Sequence, residues 1–156
     1  MHPNNIVIIN FEPHLSQHVK TLNYEWLSKY FVVESTDEEA LGNPQKYIID
    51  KGGYIYFVTL NNEIVGTASL LKVTDTEFEL GKMAITNAVQ GLGLGKILLK
   101  HCIEEAALKN AKSVTLYSNT ILENAIHLYR KYGFKEVPLL ASNYKRSNIK
   151  MELKLH

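Results

Sequence analysis

Ile85-Thr86-Asn87-Ala88-Val89-Gln90-Gly91-Leu92-Gly93-Leu94-Gly95-Lys96 is the stretch on which the reading of this chain turns. The residues before it, Phe78 to Ile85, read as a strand. Those from Leu94 to Asn110 read as a helix: good helix formers after Gly95, no proline, and a stop at Asn110. Glycines in such a turn let the backbone approach a ligand closely and adopt conformations closed to other residues. The unpaired amides that open the helix then offer hydrogen bonds and a favourable dipole to an anion, most often a phosphate. A tight strand-to-helix turn needs one glycine, and three stand here. Two phosphate motifs are excluded directly. The nucleoside-triphosphate loop requires Ser or Thr after Gly-Lys, yet Gly95-Lys96 is followed by Ile97, and Gln90 stands where its first glycine belongs. The dinucleotide pattern G-x-G-x-x-G fails on spacing, which is Gly91-x-Gly93-x-Gly95, and on position, since that loop follows the first strand of its unit.

Upstream, Ile6-Val7-Ile8-Ile9 reads as a short buried strand, and Pro13 as the turn into a helix over His14 to Tyr30. In that helix Leu15, Val19, Leu22, Trp26, Leu27 and Tyr30 recur at three- and four-residue steps. Ser35 to Glu39 starts a second helix with acidic residues at its amino end, and Pro44 opens a short third one through Ile49. Tyr54 to Leu60, the Asn61-Asn62 turn and Glu63 to Val73 form a β-hairpin. Downstream, Val114 to Tyr117 is a strand, and Glu123 to Tyr132 a helix ended by Gly133. Phe134 to Val137 and Ile149 to Leu155 are the final strands. This order predicts an α/β protein: a mixed, mostly antiparallel, twisted sheet of about seven strands with helices on both faces.

Composition sets the outer bounds. The 156 residues fit one domain, without a repeat or linker that would mark a boundary. A fold of this size buries roughly 68–70% of its unfolded surface and builds its core without metals or disulfides. Seventeen basic and sixteen acidic residues leave a formal charge of +1, which argues against a dedicated nucleic-acid binder. No signal-peptide pattern or membrane-length apolar run is present, so a soluble, cytoplasmic protein with no membrane partner is expected. Cys102, the single cysteine, reads as a core residue among Leu98, Leu99, Ile103 and Ala106. His14 and His18 have the spacing of two zinc ligands but no third partner, so no metal is expected.

The spacing that does fit is Gln90-x-x-Gly93-x-Gly95. The segment Glu79 to Leu99 resembles the coenzyme A–binding motif of the GNAT superfamily of N-acetyltransferases. Asn124-Ala125-Ile126-His127-Leu128-Tyr129-Arg130-Lys131-Tyr132-Gly133-Phe134 is similar to that family's later A-I-x-L-Y-x-K-x-G-F signature. The predicted element order is the family's as well. One departure is Asn87, where the family often has a proline just after the strand. The resemblance implies a single N-acetyltransferase domain over residues 1–156 that moves an acetyl group from acetyl-CoA to a primary amine by direct attack in a ternary complex. The alternative is a catalytically idle sensor of the same fold that binds acetyl-CoA.

Acetyl transfer to an amine has three requirements, and the resemblance assigns residues to each. The amine must lose a proton despite a pKa of about 10.4; Glu79 stands where several family members carry a carboxylate base. The developing oxyanion needs preorganised donors, which Met83, Ala84 and Ile85 supply in the family from a bulged or splayed strand. The leaving thiolate benefits from an acid, and Tyr129 occupies the family's tyrosine position. Amides from Gln90 through Gly91, Leu92, Gly93, Leu94, Gly95 and Lys96 would hold the pyrophosphate, with Asn119 and Asn124 near the coenzyme arm. Trp26, Tyr30 and Tyr144 are candidates for the acceptor groove, where aromatic walls with the carboxylates of Glu34, Asp37, Glu38 and Glu39 would favour a cationic amine. The family habit of dimerising, together with the apolar alternation of the last strand, makes a homodimer the expected assembly.

Overall fold

The computed structural model describes residues 4–140 and 144–155. Seven strands form one sheet in the order β1-β2-β3-β4-β5-β7-β6. They are β1 (Ile6–Asn10), β2 (Tyr54–Leu60), β3 (Glu63–Thr74), β4 (Glu77–Ile85), β5 (Ser113–Ser118), β6 (Lys135–Val137) and β7 (Ile149–Lys154). Every neighbouring pair is antiparallel except β4 and β5. The helices are α1 (Ser16–Tyr30), α2 (Ser35–Gly42), α3 (Leu94–Leu108) and α4 (Glu123–Lys131). The predicted mixed sheet and its element order are therefore present.

Alternation along β2 shows why helices cover both faces. Tyr56 and Val58 point into a core with Leu94, Leu98, Leu99 and Cys102 of α3. Ile55 and Phe57 point the other way, against Val19 and Leu27 of α1, Leu41 of α2 and Ile48. A central strand buried on both sides reads as a continuous apolar run. The hairpin turn follows its sequence, with Asn61 at φ 50° and Asn62 at φ 72°, the left-handed pair that such a turn requires.

Local details differ from expectation for identifiable reasons. Pro13–Leu15 forms a tight 3₁₀ turn, so α1 begins at Ser16 and not at His14. Glu34 caps α2 in a reciprocal pair with Asp37, one residue before the expected start. β1 is not buried: it has a sheet neighbour on one side only, and Ile6 and Val7 are 37% and 44% exposed. β7 lies between β5 and β6, with Ile149 and Met151 in the core. Its alternation serves the interior, and β6 covers its outer edge from Lys150 to Glu152. Among the described residues no helix is long and apolar enough to cross a membrane.

The α3 core can be tested at Leu98, which is fully buried. Leu98→Ala removes three carbon atoms, a methine and two methyls, from a close-packed site and should lower unfolding free energy by about 2–5 kcal/mol in urea titration. A loss below about 1 kcal/mol would contradict the packing of α3 on the sheet.

Candidate active site

The β4–β5 ladder runs only from Glu77–Glu79 to Ser113–Thr115. Both strands continue past it, β4 to Ile85 and β5 to Ser118. The cause lies on the other edge of β4. Thr67 pairs with Ala84 while Ser69 pairs with Gly81, so three steps on β4 oppose two on β3. The extra residue is accommodated at Lys82, whose φ is +52°. Such a bulge bends a strand and raises its twist, and here it turns β4 away from β5. A cleft of about 660 Å³ opens between them, bounded by Gly81–Ile85, Leu116–Asn119, the glycine turn, α4 and the end of α1.

The glycine turn closes one end. Gly91 and Gly93 have φ of +90° and +77°, values that a side chain strains. A Cβ built on either meets nothing within 4 Å, and one on Gly95 meets only Ile85 Cγ1 at 4.0 Å. The protein's own atoms therefore do not fill the space outside the turn. The N–H groups of residues 91–96 donate to no backbone carbonyl among the described residues. Open space, unpaired donors and a helix amino terminus are what a pyrophosphate requires. Lys96 also borders the cleft and is exposed.

Two of the predicted turn residues behave differently from the rest. Gln90 lines the cleft, but its N–H reaches Asn87 O at 3.4 Å and its side-chain Nε2 donates to Ile85 O and Asn87 Oδ1 at 3.3 and 3.1 Å. It braces the turn. Leu92 is 48% exposed and lies outside the lining of the cleft. Asn87 has a partner that its neighbourhood in sequence does not reveal. Glu25 of α1 accepts from Asn87 N–H at 2.8 Å and from Thr86 Oγ1 at 3.0–3.1 Å.

A chain of buried polar groups closes the other end. Glu79 is 9% exposed and accepts from Tyr144 Oη at 3.2 Å. Lys82 Nζ donates to the same phenol oxygen at 3.2 Å and lies 3.4 Å from Asp37 Oδ1. Arg146 holds Asp37 with both terminal nitrogens, at 2.7 and 2.9 Å, and Glu34 at 3.0 Å. Lys145 N–H adds a bond to Glu34 at 3.0 Å. Desolvation raises the Glu79 carboxyl above its usual range, although the Lys82 charge and the Tyr144 hydrogen bond oppose it. Burial lowers Lys82, against the pull of Asp37. Burial pushes Asp37 up, but hydrogen bonds from Arg146 and the Glu34 backbone, with the Lys82 charge, bring it below the usual carboxylate range. Burial carries the Tyr144 phenol well above its ordinary value.

Tyr129 of α4 lines the cleft, its ring edge-on to Phe134 at 5.9 Å. Desolvation pushes its phenol up to about 12, so it stays protonated across the physiological range. Its hydroxyl has no hydrogen bond among the described residues. Asn119 and Asn124 also line the cleft. Asn119 is anchored, donating to Arg146 O at 2.7 Å and accepting from Ile121 N at 3.0 Å, whereas Asn124 is exposed and does not cap α4. Trp26 and Tyr144 line the cleft with Leu27 and Phe31. Tyr30 does not: it is 47% exposed and packs against Trp26 outside the cleft. Glu34 and Asp37, expected to attract a cation, are already neutralised by Arg146 and Lys82. Lys82 was not foreseen. Its signal was a lysine inside the otherwise apolar run Leu80-Gly81-Lys82-Met83-Ala84-Ile85.

Residues 20–134 match the acetyltransferase (GNAT) family, and the chain belongs to it. It is accordingly an acyltransferase of the N-acetyltransferase class. The N-acetyltransferase YvbK of Bacillus subtilis strain 168 is 28% identical over 110 residues, covering 65% of this chain and 71% of its own length. An N-acetylaspartate synthetase of Danio rerio is 29% identical over 92 residues, covering 58% of this chain but only 33% of that protein. In structure, a GNAT acetyltransferase from Staphylococcus aureus Mu50 superposes with a TM-score of 0.86 at 21% identity, covering 97% of this chain and 100% of the other. The acetyltransferase yncA of Salmonella typhimurium, solved with acetyl-CoA, gives 0.74 at 19% identity, over 97% of this chain and 94% of the other.

The Asp37 cluster carries a pH dependence whose sign is fixed. A carboxyl held below its usual range contributes stability that is complete above about pH 4 and is lost as the pH falls through the folded value. Asp37→Asn leaves Arg146 and Lys82 underpaired in a buried setting, and should cost about 3–5 kcal/mol at pH 7. The difference between the two proteins in urea titrations should shrink as the pH is taken from 7 toward 3. A constant difference would show that Asp37 is not ionised in the fold.

Proposed function

We propose that this chain is an acetyl-CoA-dependent N-acetyltransferase that acetylates a primary amine by direct attack in a ternary complex. The observation that carries the reading is the divergence of β4 from β5 between an anion-ready glycine turn and a buried carboxylate. Bound in the cleft, acetyl-CoA supplies an activated acyl group and a thiol leaving group. The amides of residues 91–96 and the start of α3 hold its pyrophosphate. The β5-facing edge of Met83, Ala84 and Ile85 lacks ladder partners and offers N–H donors to the arm and the acyl oxygen. Asn119 and Asn124 border the arm from the opposite side.

Glu79 takes the proton from the amine, directly or through Tyr144, and burial, which raises its carboxyl above the usual range, makes it the stronger base. Tyr129 stays protonated and donates to the sulfur as it departs. Trp26, Leu27 and Phe31 form the acceptor's apolar wall. Both cations at this end, Lys82 and Arg146, are paired internally, which supports a neutral-bodied amine over a dicarboxylate acceptor. Acetylation assays across arylalkyl amines, polyamines, amino acids and peptide amines test the reading. No product from any class, with acetyl-CoA bound, would overturn it.

Gly93→Val should place a strained, branched side chain where the pyrophosphate approaches and weaken acetyl-CoA binding at least about tenfold, ~1.4 kcal/mol. Unchanged affinity by calorimetry in a folded variant would put the coenzyme elsewhere. Tyr129→Phe keeps the ring and its contact with Phe134. Turnover should fall by about 10²–10⁴, with far less change in acetyl-CoA affinity. If more than about half of the turnover survives, Tyr129 is a packing residue.

A further inference from the structure

The cleft is bordered by three lysines, Lys82, Lys96 and Lys131, of which Lys96 and Lys131 are exposed. The Lys82 side chain is only 6% exposed. Its Nζ is linked to Glu79 by two successive contacts, 3.2 Å to Tyr144 Oη and 3.2 Å from there to Glu79 Oε2. It stands on the bulge immediately before Met83, Ala84 and Ile85, the residues given above to the acyl end of the coenzyme. An amine beside the base, out of water and next to the acyl site is what the reaction asks of an acceptor. We propose that Lys82 is itself an acceptor, and that the protein acetylates its own Lys82 Nζ from acetyl-CoA when no free amine fills the cleft. This inference rests on the reading that the cleft holds acetyl-CoA.

The surroundings permit the step. Asp37 makes its short contacts, 2.7 and 2.9 Å, with Arg146, and a longer one of 3.4 Å with Lys82. Loss of the Lys82 charge therefore leaves the carboxylate paired. Burial already disfavours the ammonium. The ammonium loses one proton through Tyr144 to Glu79 and thence to solvent. The nitrogen lone pair forms the C–N bond with the thioester carbon as the C–S bond breaks. That bonding pair leaves on sulfur, and the second nitrogen proton ends there, giving an N-acetyl-lysine and free coenzyme A. The resulting amide N–H still has Asp37 or Tyr144 to donate to, so the product buries no unsatisfied donor.

The test incubates the purified full chain with isotopically labelled acetyl-CoA, without any amine, and follows intact mass and peptide maps. One acetyl mass should appear on Lys82, at least about tenfold faster than on the exposed Lys96 and Lys100, a modest margin beside what proximity supplies. Lys82→Arg should lose that label. Glu79→Gln and Tyr129→Phe should slow it by about 10²-fold or more while acetyl-CoA still binds by calorimetry. Transfer to free amines with Lys82 unlabelled would overturn self-acetylation and leave the proposed function standing. Equal labelling of Lys82 in Glu79→Gln would mean chemical acetylation and would overturn it too. Absence of acetyl-CoA binding would overturn the functional reading and this inference together.

Discussion

A sheet can take a ligand between two of its strands only if the ladder between them is broken, and a broken ladder exposes backbone donors that want partners. In this protein one extra residue in β4, accommodated at Lys82, produces the break. Pairing with β5 holds for Glu77 to Glu79 and then stops. Everything else at the site is arranged around that point. The glycine turn follows because β4 must hand over to α3 at the top of the gap. Residues of α4 border the gap because α4 follows directly on β5, whose end forms the gap's far side. The left-handed φ at a non-glycine residue is a local strain of order 1–3 kcal/mol, sustained by the pairing of β4 with β3 on both sides of it.

The polar cluster that joins Glu79, Tyr144, Lys82 and Asp37 is the second consequence of the bulge. A regular strand would direct residue 82 onto one face of the sheet; the added residue sends it toward α2 and the segment from Tyr144 to Asn148. Buried ion pairs of this kind add little net stability, since desolvation offsets most of their attraction. Their effect here is positional. Arg146, Lys145 and Tyr144 tie the approach to β7 onto α2 and β4, and Asn119 and Asn148 fix the same segment to the end of β5. The carboxylate of Glu79 is thereby held at a known place in a low-dielectric wall, which is the setting in which a base gains strength and specificity.

What the sequence made legible was local. Periodicity in α1, the Asn-Asn turn, the glycine spacing and the apolar alternation of β7 each depend on residues within one or two turns of each other. The mostly antiparallel sheet and the choice of Glu79, Met83 to Ile85 and Tyr129, which all line the cleft, followed from the resemblance to a family with the same element order. What failed depended on contacts across the sheet. Ile6 to Ile9 reads as a buried strand by composition, yet an edge position leaves it half covered. Tyr30 continues the apolar stripe of α1 but, as its last residue, is 47% exposed and lies outside the cleft. Glu34 and Asp37 read as free acids because their partners, Lys82 and Arg146, are 45 and 109 residues away from Asp37. Cys102 and Leu98 needed no such information, since an apolar helix face has only one place to go.

The departure at Asn87 shows how such long-range contacts replace a local device. Proline after a strand fixes φ and removes an N–H that would otherwise need a partner. With asparagine there, the N–H returns and the backbone gains freedom, at the residue that begins the path to the anion-binding amides. Glu25 answers both changes. Its carboxylate accepts that N–H at 2.8 Å and the neighbouring Thr86 hydroxyl at 3.0–3.1 Å, a charge-assisted pair stronger than ordinary neutral bonds. Gln90 then ties the far end of the same turn back to Ile85 and Asn87. A constraint that a ring would impose covalently is thus imposed from α1, the helix that also lines the cleft through Trp26 and Leu27. The geometry of the glycine turn and that of the cleft wall at Trp26 and Leu27 consequently depend on the placement of one helix, and displacement of α1 would disturb both.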